Sequence, residues 1–203
     1  EVMTPEMRRL FHHIGGQPFS HRFYLAGGTA LSLQIGHRRS VDFDFFSETD
    51  EIDEKSRNEI ISGVTSLPTK IIESVGGNLL LLVDGVRTGF FGYGYPLVDE
   101  PVLCENILLA SINDIGLMKC DALISRGSRK DFYDLFYISR HIDFDHLLQL
   151  GEKKYPLFRD FPLMFLESMM LFDNGDRDVQ PDLFENISWE QVKQFFVDQA
   201  RWL

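Results

Sequence analysis

The stretch SVDFDFF, residues 40–46, most tightly constrains how the chain folds, because two carboxylates alternate with aromatic residues. A period of two is the pattern of a β-strand with one face in a core. Asp42 and Asp44 then project together, while Val41, Phe43 and Phe45 project to the opposite face, into the core. A carboxylate in a hydrophobic strand is costly unless it is paired, hydrogen-bonded or bound to a metal. Two side by side repel each other unless a cation lies between them. Oxygen-only ligation suits Mg²⁺ or Mn²⁺. A paired-carboxylate site for such an ion serves phosphoryl or nucleotidyl transfer.

The preceding residues, LAGGTALSLQIGHRR at 25–39, fit the same scheme. Gly27 and Gly28 close a short apolar strand and open an apolar helix. Glycine lets a backbone approach a ligand closely, and a helix N-terminus attracts phosphate. Gly27, Gly28 and Thr29 are therefore candidate nucleotide-binding residues, with Ser40 assisting. Taken singly, a glycine pair also fits a plain turn, and a lone Asp-x-Asp is common. A second Asp-x-Asp, in HIDFDHLLQL at 141–150, is an internal control. It immediately precedes a helical run, so helix N-capping explains Asp143 and Asp145.

The second informative stretch is SINDIGLMKCDALISRGSRKDFYDLFYI, residues 111–138. Lys119 and Arg126 are seven apart and share one helix face, and Asp131 and Asp134 share a face of the next helix. An ordinary helix pair with surface ion pairs would produce this pattern. The functional reading is that Lys119 and Arg126 bind triphosphate oxygens, while Asp131 orients that basic group or contacts substrate.

Periodicity places helices at 3–14, 29–35, 53–63, 111–125, 129–140, 145–154, 162–172 and 188–202. Strands are expected at 23–25, 40–46, 70–75, 79–83, 86–91 and 106–109, with Asp84-Gly85 as a hairpin turn. The acidic stretch 173–182 reads as an exposed loop without calcium-loop ligand spacing. The chain is thus α+β: an α/β core at 1–110 with a mixed sheet flanked by helices, then a helical bundle at 111–203.

A net charge of −11 argues against a broad duplex-DNA surface, although His37, Arg38 and Arg39 form a local basic cluster. No apolar run approaches the ~20 residues of a membrane span. Cys104 and Cys120 are isolated, which fits buried thiols in a reducing cytoplasm.

Together GGTALSL, GHRRSVDFDFF, MKCDALISRGSRKDFYDLF and SWEQVKQFF resemble the AbiEii/AbiGii toxin family of the polymerase β-like nucleotidyltransferase superfamily. The resemblance covers nearly the whole chain. It implies a nucleotidyltransferase core followed by a helical bundle. It implies Asp42 and Asp44 as metal ligands, and Lys119 and Asp131 as the basic and acidic members of a second motif. It also implies an NTP substrate with Mg²⁺ or Mn²⁺, an RNA acceptor such as a tRNA 3′ end or a protein hydroxyl, and a separately encoded antitoxin. The superfamily pattern usually has a third carboxylate on a later strand. The corresponding position here, in VRTGFFGYGYP, reads Gly89, and Asp84 and Glu73 are weak substitutes. Two alternatives stay open: a degenerate site that binds nucleotide or a partner without turnover, and an acidic interaction domain.

Overall fold

The computed structural model describes residues 1–202 as two compact units. The first comprises residues 1–34 and 39–111, and the second comprises 35–38 and 112–202.

The first unit opens with α1 (Pro5–Gly15). Thr4 caps it by accepting from the Met7 amide at 3.3 Å, and Pro5 supplies a preset first turn. Then follow β1 (Tyr24–Ala26), α2 (Gly27–Ile35), β2 (Asp42–Ser47) and α3 (Glu54–Val64). The remaining strands are β3 (Thr69–Val75), β4 (Asn78–Val83), β5 (Val86–Gly92), β6 (Val102–Cys104) and β7 (Ile107–Leu109). They form one mixed sheet in the order β3-β4-β5-β2-β1-β7-β6. Strand β2 is central, antiparallel to β1 and parallel to β5.

Alternation along β2 divides the sheet. Phe43 and Phe45 point into a core that also holds Phe11 of α1, Phe19, Phe23 and Phe90. The Phe45 and Phe90 rings stack at 5.0 Å. Asp42, Asp44 and Phe46 lie on the other, half-exposed face. Two departures from the alternation follow. Val41 precedes the strand and is 72% exposed, so it does not join the core. The aspartates are half-buried rather than enclosed, so their desolvation cost is smaller than a core strand would impose. The β4–β5 turn has positive φ at both Asp84 and Gly85, the primed geometry that twisted hairpins favour. Strand β6 lies in a stretch where the sequence pattern marks no element. Its side chains carry little pattern, and it is defined by pairing with β7.

The second unit contains α4 (Ile112–Ser125), α5 (Arg129–Ile138), α6 (Phe144–Lys154), α7 (Phe161–Ser168), α8 (Asp173–Arg177) and α9 (Trp189–Trp202). Phe132 of α5 anchors an aromatic core against Phe172, Trp189 and Phe196. Asp143 caps α6 by accepting from the His146 amide at 2.7 Å, as the control motif predicts. The helix expected through 172 ends at Ser168, and the stretch expected as a loop begins with α8. Long-range bonds hold that turn: Arg129 Nε donates to the Gly175 carbonyl at 2.7 Å, and Trp189 Nε1 to Asp176 at 2.6 Å. Both thiols are free; Cys120 is buried and Cys104 half-exposed. Among the described residues, no helix is long and apolar enough to cross a membrane.

Within this unit Lys154 and Asp114 are fully buried and meet at 2.8 Å. Removing one partner strands a charge in low dielectric, whereas replacing both by apolar residues avoids that cost. Lys154→Met alone should therefore lose about 3–5 kcal/mol of unfolding free energy. Adding Asp114→Leu should restore most of it, as urea titration would show. A single variant as stable as the wild type would contradict this account.

Candidate active site

In the first unit the sheet register builds the site. Ala26, Asp44 and Gly89 are neighbours across β1, β2 and β5, so all three lie on the half-exposed face. Gly27 follows directly, with φ +65, a conformation that glycine adopts without penalty. A Cβ at Gly27 would stand 3.2 Å from Asp44 Oδ2, and one at Gly89 would stand 3.4 Å from Asp44 Oδ1. The carboxylate is thus seated between two stretches of bare backbone.

Asp42 is held from the other side. Ser40 Oγ donates to Asp42 Oδ1 at 3.3 Å, and Thr29 Oγ1 lies 2.7 Å from Ser40 Oγ. Thr29 is also within hydrogen-bond reach of the Asp42 carbonyl. Its single proton serves one of these at a time. Both hydroxyls are buried, so Thr29 and Ser40 stand behind Asp42 as supports. Gly28 is buried in the first turn of α2. Arg87 is the β5 neighbour of Asp42 and is exposed, a cation on this face that sequence reasoning passed over. The alternation in VRTGFFG was the available signal.

The position opposite Asp44 is indeed glycine. Glu73 shares the face but lies three strands away, roughly 14 Å. Asp84 is spent in the hairpin turn and pairs with Arg9 at 3.0 Å. Among the described residues, no three His, Cys, Asp or Glu side chains are grouped to hold a metal ion. The available donor set is the aspartate pair. Such a set fits Mg²⁺, which commonly takes one or two carboxylates and completes its shell with substrate phosphates and water.

The second unit holds a separate charge network. Asp131 accepts from Lys119 Nζ at 3.0 Å, from Arg126 Nε and Nη2 at 2.8 and 2.9 Å, and from Ser128 Oγ at 2.6 Å. Asp134 accepts from Lys119 at 2.6 Å, from Arg38 Nε and Nη2 at 2.7 and 3.0 Å, and from His37 Nε2 at 2.8 Å. Lys119 and Arg126 therefore converge on Asp131 rather than lining one open helix face. Arg126 lies past the end of α4 and keeps its side chain 53% exposed, whereas Lys119 is buried. Asp134 was passed over as a hub. His37 and Arg38 adjoin the Asp-x-Asp strand in sequence, but they pair with Asp134.

Burial pushes both carboxyls up, yet Lys119 and the arginines outweigh it and hold both below the ordinary carboxylate range. Burial lowers Lys119, but Asp134 and Asp131 raise it above its usual value. His37 is depressed by burial, against the opposing pull of Asp134. Its Nδ1 is buried without a hydrogen-bond partner, which fits a neutral ring donating from Nε2.

A same-face aspartate pair beside a glycine turn and a helix start, on a mixed sheet of this order, defines the core of a nucleotidyltransferase fold. The same fold occurs in a putative nucleotidyltransferase from Helicobacter pylori: 17% identity, 97% of this chain and 91% of that one, TM-score 0.56. It occurs also in MenT4, a nucleotidyltransferase toxin of Mycobacterium tuberculosis: 17% identity, 97% of this chain and 85% of that one, TM-score 0.60. The chain belongs to the AbiEii nucleotidyl transferase toxin family of type IV toxin–antitoxin systems, whose model matches residues 8–200. An uncharacterized protein of Aquifex aeolicus is 35% identical over 201 residues, 96% of this chain and 94% of that protein.

The depressed His37 fixes a sign. Below an unfolded value of about 6.5 the unfolded chain takes the proton first, so stability falls as pH drops below that point. The slope should reach up to about 1.4 kcal/mol per pH unit. Denaturation midpoints between pH 7.5 and 5.5 should flatten in His37→Gln, and an unchanged slope would contradict the assignment. The depressed aspartates add stability above about pH 4 that is lost on further acidification.

Proposed function

We propose that the chain is a Mg²⁺- or Mn²⁺-dependent nucleotidyltransferase and the toxin of a bacterial toxin–antitoxin pair. It would move a nucleoside monophosphate from an NTP to a hydroxyl, with a tRNA acceptor end as the favoured acceptor and a protein hydroxyl as the other candidate. The proposed setting is the cytoplasm and the proposed partner a separately encoded antitoxin, a reading supported by membership of a toxin–antitoxin family. The observation that carries this reading is the seating of Asp44 between Gly27 and Gly89, beside Asp42 on the open face of the sheet.

Asp42 and Asp44 are the proposed ligands of the metal ion. When bound, the ion would neutralise triphosphate charge and lower the pKa of the attacking hydroxyl. The Gly27-Gly28 backbone and the start of α2 offer amides to phosphate oxygens. Ser40, backed by Thr29, orients Asp42. In the second unit Lys119 and Arg126, with Asp131 as their shared partner, are the proposed basic and acidic members of the second nucleotidyltransferase motif. In the transfer, the acceptor oxygen bonds the α-phosphorus, the α–β bridging bond breaks, and pyrophosphate leaves. The acceptor's proton passes to solvent or to a phosphate oxygen, since glycine occupies position 89. That glycine favours a second reading, a site that binds nucleotide and turns it over slowly or not at all. A positioned base typically contributes ~10²–10⁴-fold.

The test is transfer of label from each α-³²P-NTP to total bacterial tRNA, with Mg²⁺ or Mn²⁺. Labelling by the wild type should vanish in Asp42→Ala and Asp44→Ala proteins that remain folded. Equal labelling by those variants would refute the site. Intact NTP binding with no label on any acceptor would favour the second reading.

A further inference from the structure

The same face of the sheet carries an aromatic row that begins beside the aspartates. Phe46 lies two residues beyond Asp44 on β2, and Phe91 is its neighbour on β5. Their rings are 5.2 Å apart. Tyr24 of β1 stacks on Phe46 at 6.1 Å with 24° between the planes, supporting it from the other side. Tyr93 meets Phe46 edge-on at 5.4 Å, and Tyr95 meets Tyr93 edge-on at 5.0 Å. Phe46, Phe91 and Tyr93 are half-buried, and Tyr95 is 38% exposed. Core aromatics occupy the opposite face of these strands, where Phe43, Phe45 and Phe90 are fully enclosed. The row is therefore a second set, left partly open to water on the face that holds the carboxylates.

Gly89 connects the row to the site. A Cβ there would lie 2.4 Å from Phe91 Cζ and 2.5 Å from Phe91 Cε2. The ring folds back over position 89 and takes the space beside Asp44 that a side chain would use. The absent third carboxylate thus has a steric counterpart: bare backbone at 89 lets an aromatic ring lie against the reaction centre.

We propose that Phe46, Phe91, Tyr93 and Tyr95 form a stacking platform for a nucleobase at the reaction centre. This rests on the nucleotidyltransferase reading above. Aromatic faces stack any base, so the platform supplies affinity with little sequence discrimination. Two sources present the same chemistry, the base of the incoming NTP and the terminal base of an RNA acceptor.

Calorimetry separates them without requiring turnover. The probes are each NTP with Mg²⁺, inorganic tripolyphosphate with Mg²⁺, and a short single-stranded RNA ending in a 3′ hydroxyl. The proteins are the wild type, Tyr93→Leu and Tyr95→Leu, with Phe91→Leu as a third variant and thermal melting as the folding check. Loss of a stack should weaken NTP about 5- to 100-fold and leave tripolyphosphate unchanged if the donor base sits there. The same loss for the RNA alone would assign the platform to the acceptor. Unchanged affinity for both nucleotide probes in all folded variants would overturn the platform and leave the aspartate site standing. A wild type that binds no NTP, tripolyphosphate or RNA would overturn the nucleotide reading itself, and the platform with it.

Discussion

The register of β2 is the constraint on which everything else depends. Side chains alternate with a period of two, so a one-residue slip would drive Asp42 and Asp44 into the core and expel Phe43 and Phe45. Pairing on both sides prevents this. Strand β1 aligns Ala26 with Asp44, and β5 aligns Gly89 with it. The rings of Phe43 and Phe45 lock the buried face through Phe11 and Phe90. Hydrophobic burial, worth about 1.5–3 kcal/mol for a large side chain, therefore also holds two charges in water's reach. The carboxylates are positioned by the aromatics between them.

The helical unit solves a different electrostatic problem. Asp131 and Asp134 are three apart on α5 and both buried, which like-charge repulsion and desolvation would forbid in isolation. Lys119 bridges the two, and each also receives a two-pronged arginine, Arg126 for Asp131 and Arg38 for Asp134. Arg38 reaches this network because Gly36, at φ +63, ends α2 and turns the chain so that residues 35–38 join the helical unit. The network adds little net stability, since paired charges barely repay their desolvation, yet loss of any one partner would strand a buried charge.

Much of this was legible in the sequence, for identifiable reasons. Alternation of acid and aromatic residues located β2 and the face of its aspartates, and Asp84-Gly85 located the hairpin, because both signals are local. The partners of Lys119 were half legible: Asp131 read as the carboxylate that orients the basic group, but Asp134 needed the tertiary pairing with His37 and Arg38 to emerge as a hub. Thr29 and Ser40 read as phosphate contacts. Their burial behind Asp42 depends on a turn that brings residues eleven apart to 2.7 Å. The acidic stretch after Phe172 read as loop because its helical turn is stabilised from Arg129 and Trp189, far along the chain. Gly89 looked like a missing ligand, and the Phe91 ring that lies over it came into view only with the fold, because nothing in the sequence says which way that ring turns.

The central claim is that Asp42 and Asp44 jointly hold a divalent ion together with a triphosphate. Electron paramagnetic resonance of Mn²⁺, titrated with protein in the presence and absence of NTP, reads this directly. The account predicts NTP-dependent immobilisation of Mn²⁺ by the wild type, abolished in folded Asp42→Asn/Asp44→Asn protein. Equal NTP-dependent Mn²⁺ binding by the double variant would contradict it.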